Sequence, residues 1–363
     1  MSGRFRWIAA ALLLAPNVPP ARAEPAEGPA AARSIRGILV EPGRATPEWM
    51  ASWKAEGGTA VVVLLDESLD RGRWAEIATA ADRSGLALYP WVEVARNPAM
   101  ADAHPGWMAA IGGHHDDWRR RFPAAPAARR GQVIKAWPWV PIGHAPAFDA
   151  HRDRVEALLK DLPEPWAGIF LNDLQAGPSS CGCGNDQCRW ALDYGSPATA
   201  PRTPGEDVAA RFVTAIRAAN PGREVIPVWV TECEMVDLPG VAGSTGHCGG
   251  VECARNDCWP RYDRALSPVL KAIPGPIGVA LWRQPFGRDP GWPGSALGLF
   301  AHPPRGATGV PPGRTVAVLQ GWGLPEPGRA AMLDRLGDAG AGWVVALAKV
   351  DQSWEPRPVA APE

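Results

Sequence analysis

Residues 166–190 read WAGIFLNDLQAGPSSCGCGNDQCRW, and they carry the clearest indication of fold class in this sequence. An apolar run at residues 167–171 follows Pro165 and ends at Asn172 and Asp173. A short apolar run that is bounded by a proline and an acidic residue is typical of a buried parallel strand. We therefore predict a strand whose C-terminal end carries the carboxylate of Asp173.

The chain on both sides of this stretch alternates between strand-like and helix-like segments. Apolar or β-branched runs predict eight strands, and apolar residues at helical spacing predict helices between most of them. The predicted strands are residues 36–41, 59–66, 86–93, 167–171, 224–231, 276–282, 315–320 and 343–348. This alternation favours a (β/α)8 TIM barrel over an open doubly wound sheet. A glycine-rich phosphate loop does not follow the first strand, which argues against a dinucleotide-binding fold.

The sequence predicts one exported barrel domain. Residues 1–23 resemble a secretory signal peptide, with basic residues, then an apolar run that is too short for a membrane span, then small residues. We expect a flexible lead at residues 24–35, the barrel at 36–354 and a loose tail at 355–363. The expected location is secreted or periplasmic, with no membrane association after signal cleavage. A formal net charge of −1 gives no reason to expect nucleic-acid binding.

Acidic residues occur at the ends of the first five predicted strands. In a TIM barrel these ends form the face where catalysis takes place. Carboxylates on neighbouring strand ends repel each other, so one keeps a proton while another stays ionised. Glycoside hydrolysis requires this division between a protonated acid and a carboxylate. The alternative for each acid taken singly is a solvated side chain or a helix cap. The acids are Glu41, Asp66, Glu67, Glu93, Asp173, Glu232 and Glu234.

We assign catalytic and substrate-binding candidates on this basis. Asp173 is the predicted acid/base and Glu232 the predicted nucleophile or its equivalent, because the fourth and fifth strands of a barrel are neighbours. The chain has 18 tryptophans, whose rings can pack in a core or stack on sugars. A carbohydrate is therefore the predicted ligand, with no cofactor. The predicted substrate-binding residues are Glu41, Asp66, Glu93, Trp91, His144, Glu234, Trp282 and Arg283.

All seven cysteines fall in two long loops, after the fourth and fifth predicted strands. Disulfides are the default for an exported protein, although three bridges would leave one thiol unpaired. The candidates are Cys181, Cys183, Cys188, Cys233, Cys248, Cys253 and Cys258. We favour disulfides that join the two loops. The alternative is a structural zinc site formed by Cys181, Cys183, Cys188 and Cys233.

The segment WVPIGHAPAFDAHRDRVEALLKDL at residues 139–162, then AGIFLND and the CGCGNDQC loop, resembles the central part of secreted bacterial TIM-barrel proteins of the glycoside-hydrolase-like group. The cysteine loop is also distantly similar to the zinc-binding cysteines of the family that includes thermophilic β-galactosidases. The resemblance implies a barrel with a functional acid at Asp173. This chain has Asn172-Asp173 where the best-known retaining barrel hydrolases have an Asn-Glu pair. The alternative function is a non-catalytic exported protein that binds carbohydrate, or is stabilised by zinc or disulfides, on a degenerate barrel.

Overall fold

The computed structural model describes residues 34–111, 129–174, 205–230, 271–281, 312–322, 341–350 and 355–360. The strands in these ranges are β1 (Arg36–Val40), β2 (Ala60–Leu64), β3 (Ala87–Glu93), β4 (Ala110–Ile111), β5 (Gln132–Trp137), β6 (Gly168–Asn172), β7 (Glu224–Val230), β8 (Ile277–Leu281), β9 (Thr315–Gln320), β10 (Gly342–Ala346) and β11 (Glu355–Ala360). Eight of them form a closed parallel barrel in the order β1-β10-β9-β8-β7-β6-β3-β2. The predicted TIM barrel is confirmed, and each predicted strand overlaps one barrel strand.

Helices of the described residues lie between the strands. They are α1 (Pro47–Ala55), α2 (Arg71–Arg83), α3 (Pro98–Ala103), α4 (Ala145–Leu159) and α5 (Gly205–Ala219). Side-chain caps fix where the first two begin, since Thr46 accepts from a backbone N–H of α1 and Asp70 accepts from two of α2. In the described residues, no helix is both long and apolar enough to cross a membrane.

The apolar core has two layers, one inside the barrel and one between the barrel and its helices. Leu39, Val62 and Phe170 belong to the inner layer. Their strand neighbours Val61 and Ile169 belong to the outer layer, and all five are completely buried. Because successive strand residues point to opposite faces, a strand buried on both faces needs a continuous apolar sequence. Burial of both strand faces therefore explains the apolar runs from which we predicted the strands.

A small antiparallel sheet departs from our expectations. It has the order β11-β5-β4, and it joins the segment after β3 to the end of the chain. We expected residues 355–363 to be a loose tail, but Glu355 pairs with Trp137 and Ala360 with Gln132. The proline-rich composition suggested disorder, yet prolines are tolerated on an edge strand, where half the backbone N–H groups need no partner.

Gly168, the first residue of β6, lies where two strands approach closely. A Cβ atom at this position would be 2.4 Å from the backbone oxygen of Glu224 on β7. Gly168→Ala therefore requires one strand to move, and we expect it to lower the free energy of unfolding by about 1–3 kcal/mol. Urea denaturation of the full chain measures this loss.

Gly43→Ala is the matched control, because a Cβ atom there meets no heavy atom within 4 Å. We expect a change of about 0.5 kcal/mol or less for this variant. Equal changes in the two variants would show that the barrel does not close tightly at Gly168.

Candidate active site

Two carboxyl groups meet at the C-terminal ends of neighbouring barrel strands. Glu93 is the last residue of β3, and Asp173 directly follows β6. The register of these strands places Glu93 opposite Asn172. The Glu93 and Asp173 carboxyls are close enough to form a hydrogen bond when one of them is protonated. Asp173 is completely buried, and the Glu93 side chain is 15% exposed.

The backbone at Asp173 has a left-handed conformation, with φ of 62°. Few residues other than glycine adopt it, although aspartate tolerates it better than most. Such outliers occur disproportionately at functional sites, where the surrounding structure holds them. Asn172 supports the geometry, since its Nδ2 donates to Glu93 Oε2 at 2.9 Å and to Asp173 Oδ1 at 3.1 Å. The amide thus bridges the two carboxyls.

Polar contacts favour the ionised form of Glu93. Trp91 Nε1 donates to Oε1 at 2.8 Å, and Arg96 Nη2 lies 3.7 Å from the same oxygen. Burial alone would raise the pKa of Glu93. The hydrogen bond from Asp173, the charge of Arg96 and the donors Trp91 and Asn172 outweigh burial and hold this pKa below its ordinary value.

Asp173 has the opposite behaviour. Burial raises its pKa well above the ordinary value, and the charge of Glu93 raises it further. With both carboxyls ionised, Asp173 Oδ2 would be buried without a donor among the described residues. A proton on Asp173 removes this conflict, because the carboxyl can then donate to Glu93. The pair therefore divides into an ionised glutamate and a protonated aspartate.

This division predicts the effect of Glu93→Gln. The substitution removes the negative charge beside Asp173, so we expect the pKa of Asp173 to fall. Titration of the Asp173 carboxyl by carbon NMR measures the change without any substrate. In wild type, the stability that protonated Asp173 contributes is lost as pH rises through its raised pKa, and the variant should lose it at a lower pH.

Glu41→Gln is the control for this titration, because Glu41 is exposed at the end of β1. It should leave the pKa of Asp173 unchanged. If the pKa of Asp173 is also unchanged in Glu93→Gln, Glu93 does not set it.

Two other acids that we predicted at strand ends, Glu41 and Asp66, do not contact the Glu93–Asp173 pair in the described residues. Glu41 and Asp66 are both exposed. Asp66 Oδ1 accepts from the backbone N and the hydroxyl of Ser68 at 2.9 and 2.5 Å, so it stabilises a turn. The adjacent Glu67 forms a bidentate ion pair with Arg154. Arg154 also donates to the backbone oxygen of Glu93 at 2.9 Å, and so fixes the end of β3.

Trp91 and His144 differ in their surroundings. Trp91 is 0% exposed and stacks on Phe170 with 5.7 Å between ring centroids. Its indole N–H donates to Glu93, and the predicted contact of this ring with a sugar stays a prediction. His144 is half-buried beside Trp107, with 5.6 Å between ring centroids. The next histidine, His151, is buried within α4, which lowers its pKa to about 4.

Several predicted site residues lie outside the described residues. For these positions the catalytic, substrate-binding, disulfide and zinc assignments stay predictions. They are Glu232, Glu234, Trp282, Arg283 and the seven cysteines Cys181, Cys183, Cys188, Cys233, Cys248, Cys253 and Cys258. In the part of the chain that the structure describes, no three His, Cys, Asp or Glu side chains are grouped as metal ligands.

The sequence did not reveal the supporting roles of Asn172, Arg96 and Arg154. For Asn172 a signal existed, because an amide beside an acid at a strand end commonly orients that acid. Arg96 follows the end of β3 by three residues, so its proximity to Glu93 was also a local signal. Arg154 contacts Glu93 and Glu67 from a distant helix. Nothing in the local sequence indicates that contact.

Comparison with known proteins finds similarity to solved structures only. No protein-family model matches the chain, and no curated protein matches it. One similar structure is α-L-fucosidase isoenzyme 2 from Paenibacillus thiaminolyticus, at 14% identity and a TM-score of 0.48, covering 88% of this chain and 47% of that one. The β-galactosidase from the psychrophilic Marinomonas ef1 has 12% identity and a TM-score of 0.46, covering 87% and 55%.

A third similar structure has different chemistry. The carboxyl transferase domain of Rhizobium etli pyruvate carboxylase has 11% identity and a TM-score of 0.39, covering 88% of this chain and 42% of that one. The likeness is one of fold. This chain spans about half the length of these three proteins, and at these scores the matches carry no argument about its reaction.

Proposed function

We propose that this protein is an exported glycoside hydrolase that uses Asp173 as its acid/base. The observation that supports the proposal is the buried carboxyl pair at the ends of β3 and β6, in which the pKa of Asp173 is raised and that of Glu93 is lowered. Cleavage of a glycosidic bond needs an acid that still holds its proton near neutral pH. An aspartate reaches that state only when burial or a neighbouring charge raises its pKa.

Glu93 does not serve as the second catalytic carboxylate. The two carboxyls of a retaining glycosidase are about 5–5.5 Å apart, and those of an inverting one about 6.5–9.5 Å. Glu93 is hydrogen-bonded to Asp173, which leaves no room for a sugar between them. Its role is to hold the proton on Asp173. The second carboxylate is Glu232, two residues beyond the end of β7, the other neighbour of β6.

The charge arrangement suits both halves of a hydrolytic cycle. Protonated Asp173 gives its proton to the leaving oxygen while Glu232 attacks the sugar or activates water. Asp173 is then an anion beside ionised Glu93, and the repulsion between them strengthens it as a base. If Glu232 has formed a glycosyl ester, Asp173 takes a proton from the water that attacks the sugar and displaces Glu232. If Glu232 has instead activated the water, it releases that proton to solvent, and Asp173 takes up a proton from solvent. Glu41, Asp66, Glu234, Trp282 and Arg283 are the proposed contacts to sugar hydroxyls.

A substrate screen tests this function. The purified full chain is incubated with aryl glycosides and plant and bacterial polysaccharides, and released aryl groups or reducing ends are measured. Hydrolysis of a polysaccharide by wild type that is absent from Asp173→Asn supports the proposal. Polysaccharide hydrolysis that persists undiminished in the variant contradicts it, and so does a complete screen without hydrolysis by wild type.

The second candidate is a protein that binds carbohydrate without cleaving it. Complete burial of Asp173 favours it, because a carboxyl pair sealed from solvent can be structural only. Binding of a polysaccharide by wild type and Asp173→Asn alike, without product formation over days, would favour this candidate.

A further inference from the structure

The two carboxyls of the Glu93–Asp173 pair do not have the same donors around them. Asn172 Nδ2 donates to both, at 2.9 Å to Glu93 Oε2 and at 3.1 Å to Asp173 Oδ1, so it favours neither. Trp91 Nε1 donates at 2.8 Å to Glu93. Arg96 Nη2 lies 3.7 Å from Glu93 Oε1 and adds a positive charge. In the described residues, Trp91 and Arg96 are therefore the groups that make the two carboxyls different.

Arg96 differs from Trp91 because it carries a full charge. The Arg96 and Glu93 side chains are 19% and 15% exposed, so water screens their attraction less than it screens a surface ion pair. Arg154 also contacts Glu93, but it donates to the backbone oxygen, and its guanidinium forms a bidentate ion pair with Glu67. Among the described cations, Arg96 is thus the one whose charge acts on the Glu93 carboxylate.

The backbone of Arg96 is fixed by the segment that leads from β5 into α4. Arg96 forms an antiparallel bridge with Trp139. Residues 95–97 and 138–140 are joined by backbone hydrogen bonds of 2.8 and 3.1 Å on either side of that bridge. The Asn97 side chain also accepts from a backbone N–H of α3 at 3.0 Å. Because the backbone is ordered before the ion pair forms, the guanidinium loses less conformational freedom in reaching its partner.

A proton shared by two neighbouring carboxyls has two possible positions. It lies on Asp173 with Glu93 as the anion, or on Glu93 with Asp173 as the anion. A cation beside Glu93 lowers the energy of the first arrangement more than that of the second. Without this cation, the indole of Trp91 is the one donor in the described residues that still favours an ionised Glu93. The choice of position therefore depends mainly on Arg96.

We infer that the charge of Arg96 decides which carboxyl of the pair keeps the proton, and that Arg96 is the positioning residue that keeps Asp173 in its acid form. It acts through Glu93 and has no contact with the reacting atoms in this mechanism. The inference rests on the proposed function and assigns the loading of its acid to the loop after β3.

Carbon NMR of the full chain tests the inference without substrate. The chain is labelled at aspartate Cγ and glutamate Cδ, and Asp173→Asn and Glu93→Gln assign the two signals. In wild type, we expect the Asp173 carbon to titrate while the Glu93 carbon keeps the shift of an anion. In Arg96→Met, both carbons should shift over the same pH range, because the proton is divided between them. A Glu93 carbon that still shows an anion throughout the Asp173 titration of Arg96→Met would overturn the inference.

Three further variants separate charge from shape. Arg96→Lys keeps the charge and should restore the wild-type order of titration; an order like that of Arg96→Met would overturn the inference. If Arg96→Met does not fold, Arg96→Gln, which keeps a donor without a charge, replaces it with the same two outcomes. Arg152→Met is the control, because Arg152 forms ion pairs on α4 with the exposed carboxylates Asp149 and Asp153. It should leave both titrations unchanged.

The pH profile of hydrolysis is a second readout. Without the charge of Arg96 the pair releases its proton less readily, so the alkaline limb of Arg96→Met should move to higher pH. Its kcat should fall on the plateau, because part of the proton lies on Glu93. A purely structural loss would lower kcat without moving the limb, and would overturn the inference. The expected titrations without hydrolysis of any substrate would refute the proposed function alone. Hydrolysis that requires Asp173, with Glu93 still an anion in Arg96→Met, would refute the role of Arg96 alone.

Discussion

Asp173→Asn is expected to lower kcat for hydrolysis of an unactivated glycoside by about 10³-fold, within the range that general acid catalysis supplies. The amide cannot donate a proton to the leaving oxygen. The fold should persist, because the asparagine oxygen can accept from Asn172 and its amide can donate to Glu93. Steady-state kinetics with thermal unfolding measures both effects. With a nitrophenyl leaving group, which needs little protonation, the loss should be much smaller.

Asp149→Asn is the matched control for this variant, because Asp149 is an exposed carboxylate that pairs with Arg152 on α4. It should retain wild-type kcat on both kinds of substrate. An equal loss with activated and unactivated leaving groups would show that Asp173 supports the structure of the site rather than proton transfer. In wild type, activity should fall as pH rises through the raised pKa of Asp173.

The barrel could be predicted because its signals are local. Each barrel strand is a short apolar run, and a run buried on both faces can be recognised without knowing its neighbours. Caps such as Asp70 mark helix starts within a few residues. The closure of the barrel then follows from the count of eight and the alternation with helices. The fold class therefore follows from many weak local patterns that agree.

The pairing within the site could be predicted only in part. The sequence placed Glu93, Asp173 and Glu232 at strand ends, and it paired Asp173 with Glu232. In the barrel, β6 has two neighbours, β3 and β7, and the direct contact of Asp173 is with Glu93 on β3. Strand order allows Asp173 a partner on either strand. Its contact with Glu93 depends on side-chain reach and on the backbone conformation at Asp173, and neither is visible in the sequence. The predicted partner Glu232 lies outside the described residues, so that pairing stays a prediction.

The small sheet could not be predicted from local patterns. Its strands β5 and β11 are separated by more than two hundred residues of chain, and β11 contains two prolines. Lys135 lies in the segment QVIKAW, where a lysine suggests an exposed position, but pairing with β11 and packing against residues 105–107 bury it. Burial created by distant chain segments is the information that a single sequence lacks.

Glu232→Gln is expected to reduce hydrolysis by at least about 10³-fold, the scale of loss when a nucleophile is removed. The neutral amide can neither attack the sugar nor activate water. The thermal unfolding temperature should stay near that of wild type. Glu93→Gln should instead shift the pH profile and leave measurable turnover at lower pH, because Glu93 acts through the pKa of Asp173. Kinetics of both variants across pH therefore distinguishes Glu232, which reacts with the sugar or water, from Glu93, which adjusts the pKa of Asp173.

Two companion variants sharpen the assignment of Glu232. Glu234 is two residues after Glu232, and the variant Glu234→Gln should retain most of the activity. If it loses activity and Glu232→Gln does not, the second carboxylate is Glu234. Glu232→Ala with added azide tests the role itself, since a small anion in the vacated space can attack the sugar when Glu232 is the nucleophile. Azide in that space attacks the face of the sugar that Glu232 would attack. A glycosyl azide whose anomeric configuration is opposite to that of the substrate would therefore assign attack to Glu232. If azide restores nothing while Asp173→Asn is also inactive, Glu232 acts as the base for water, and the reaction inverts.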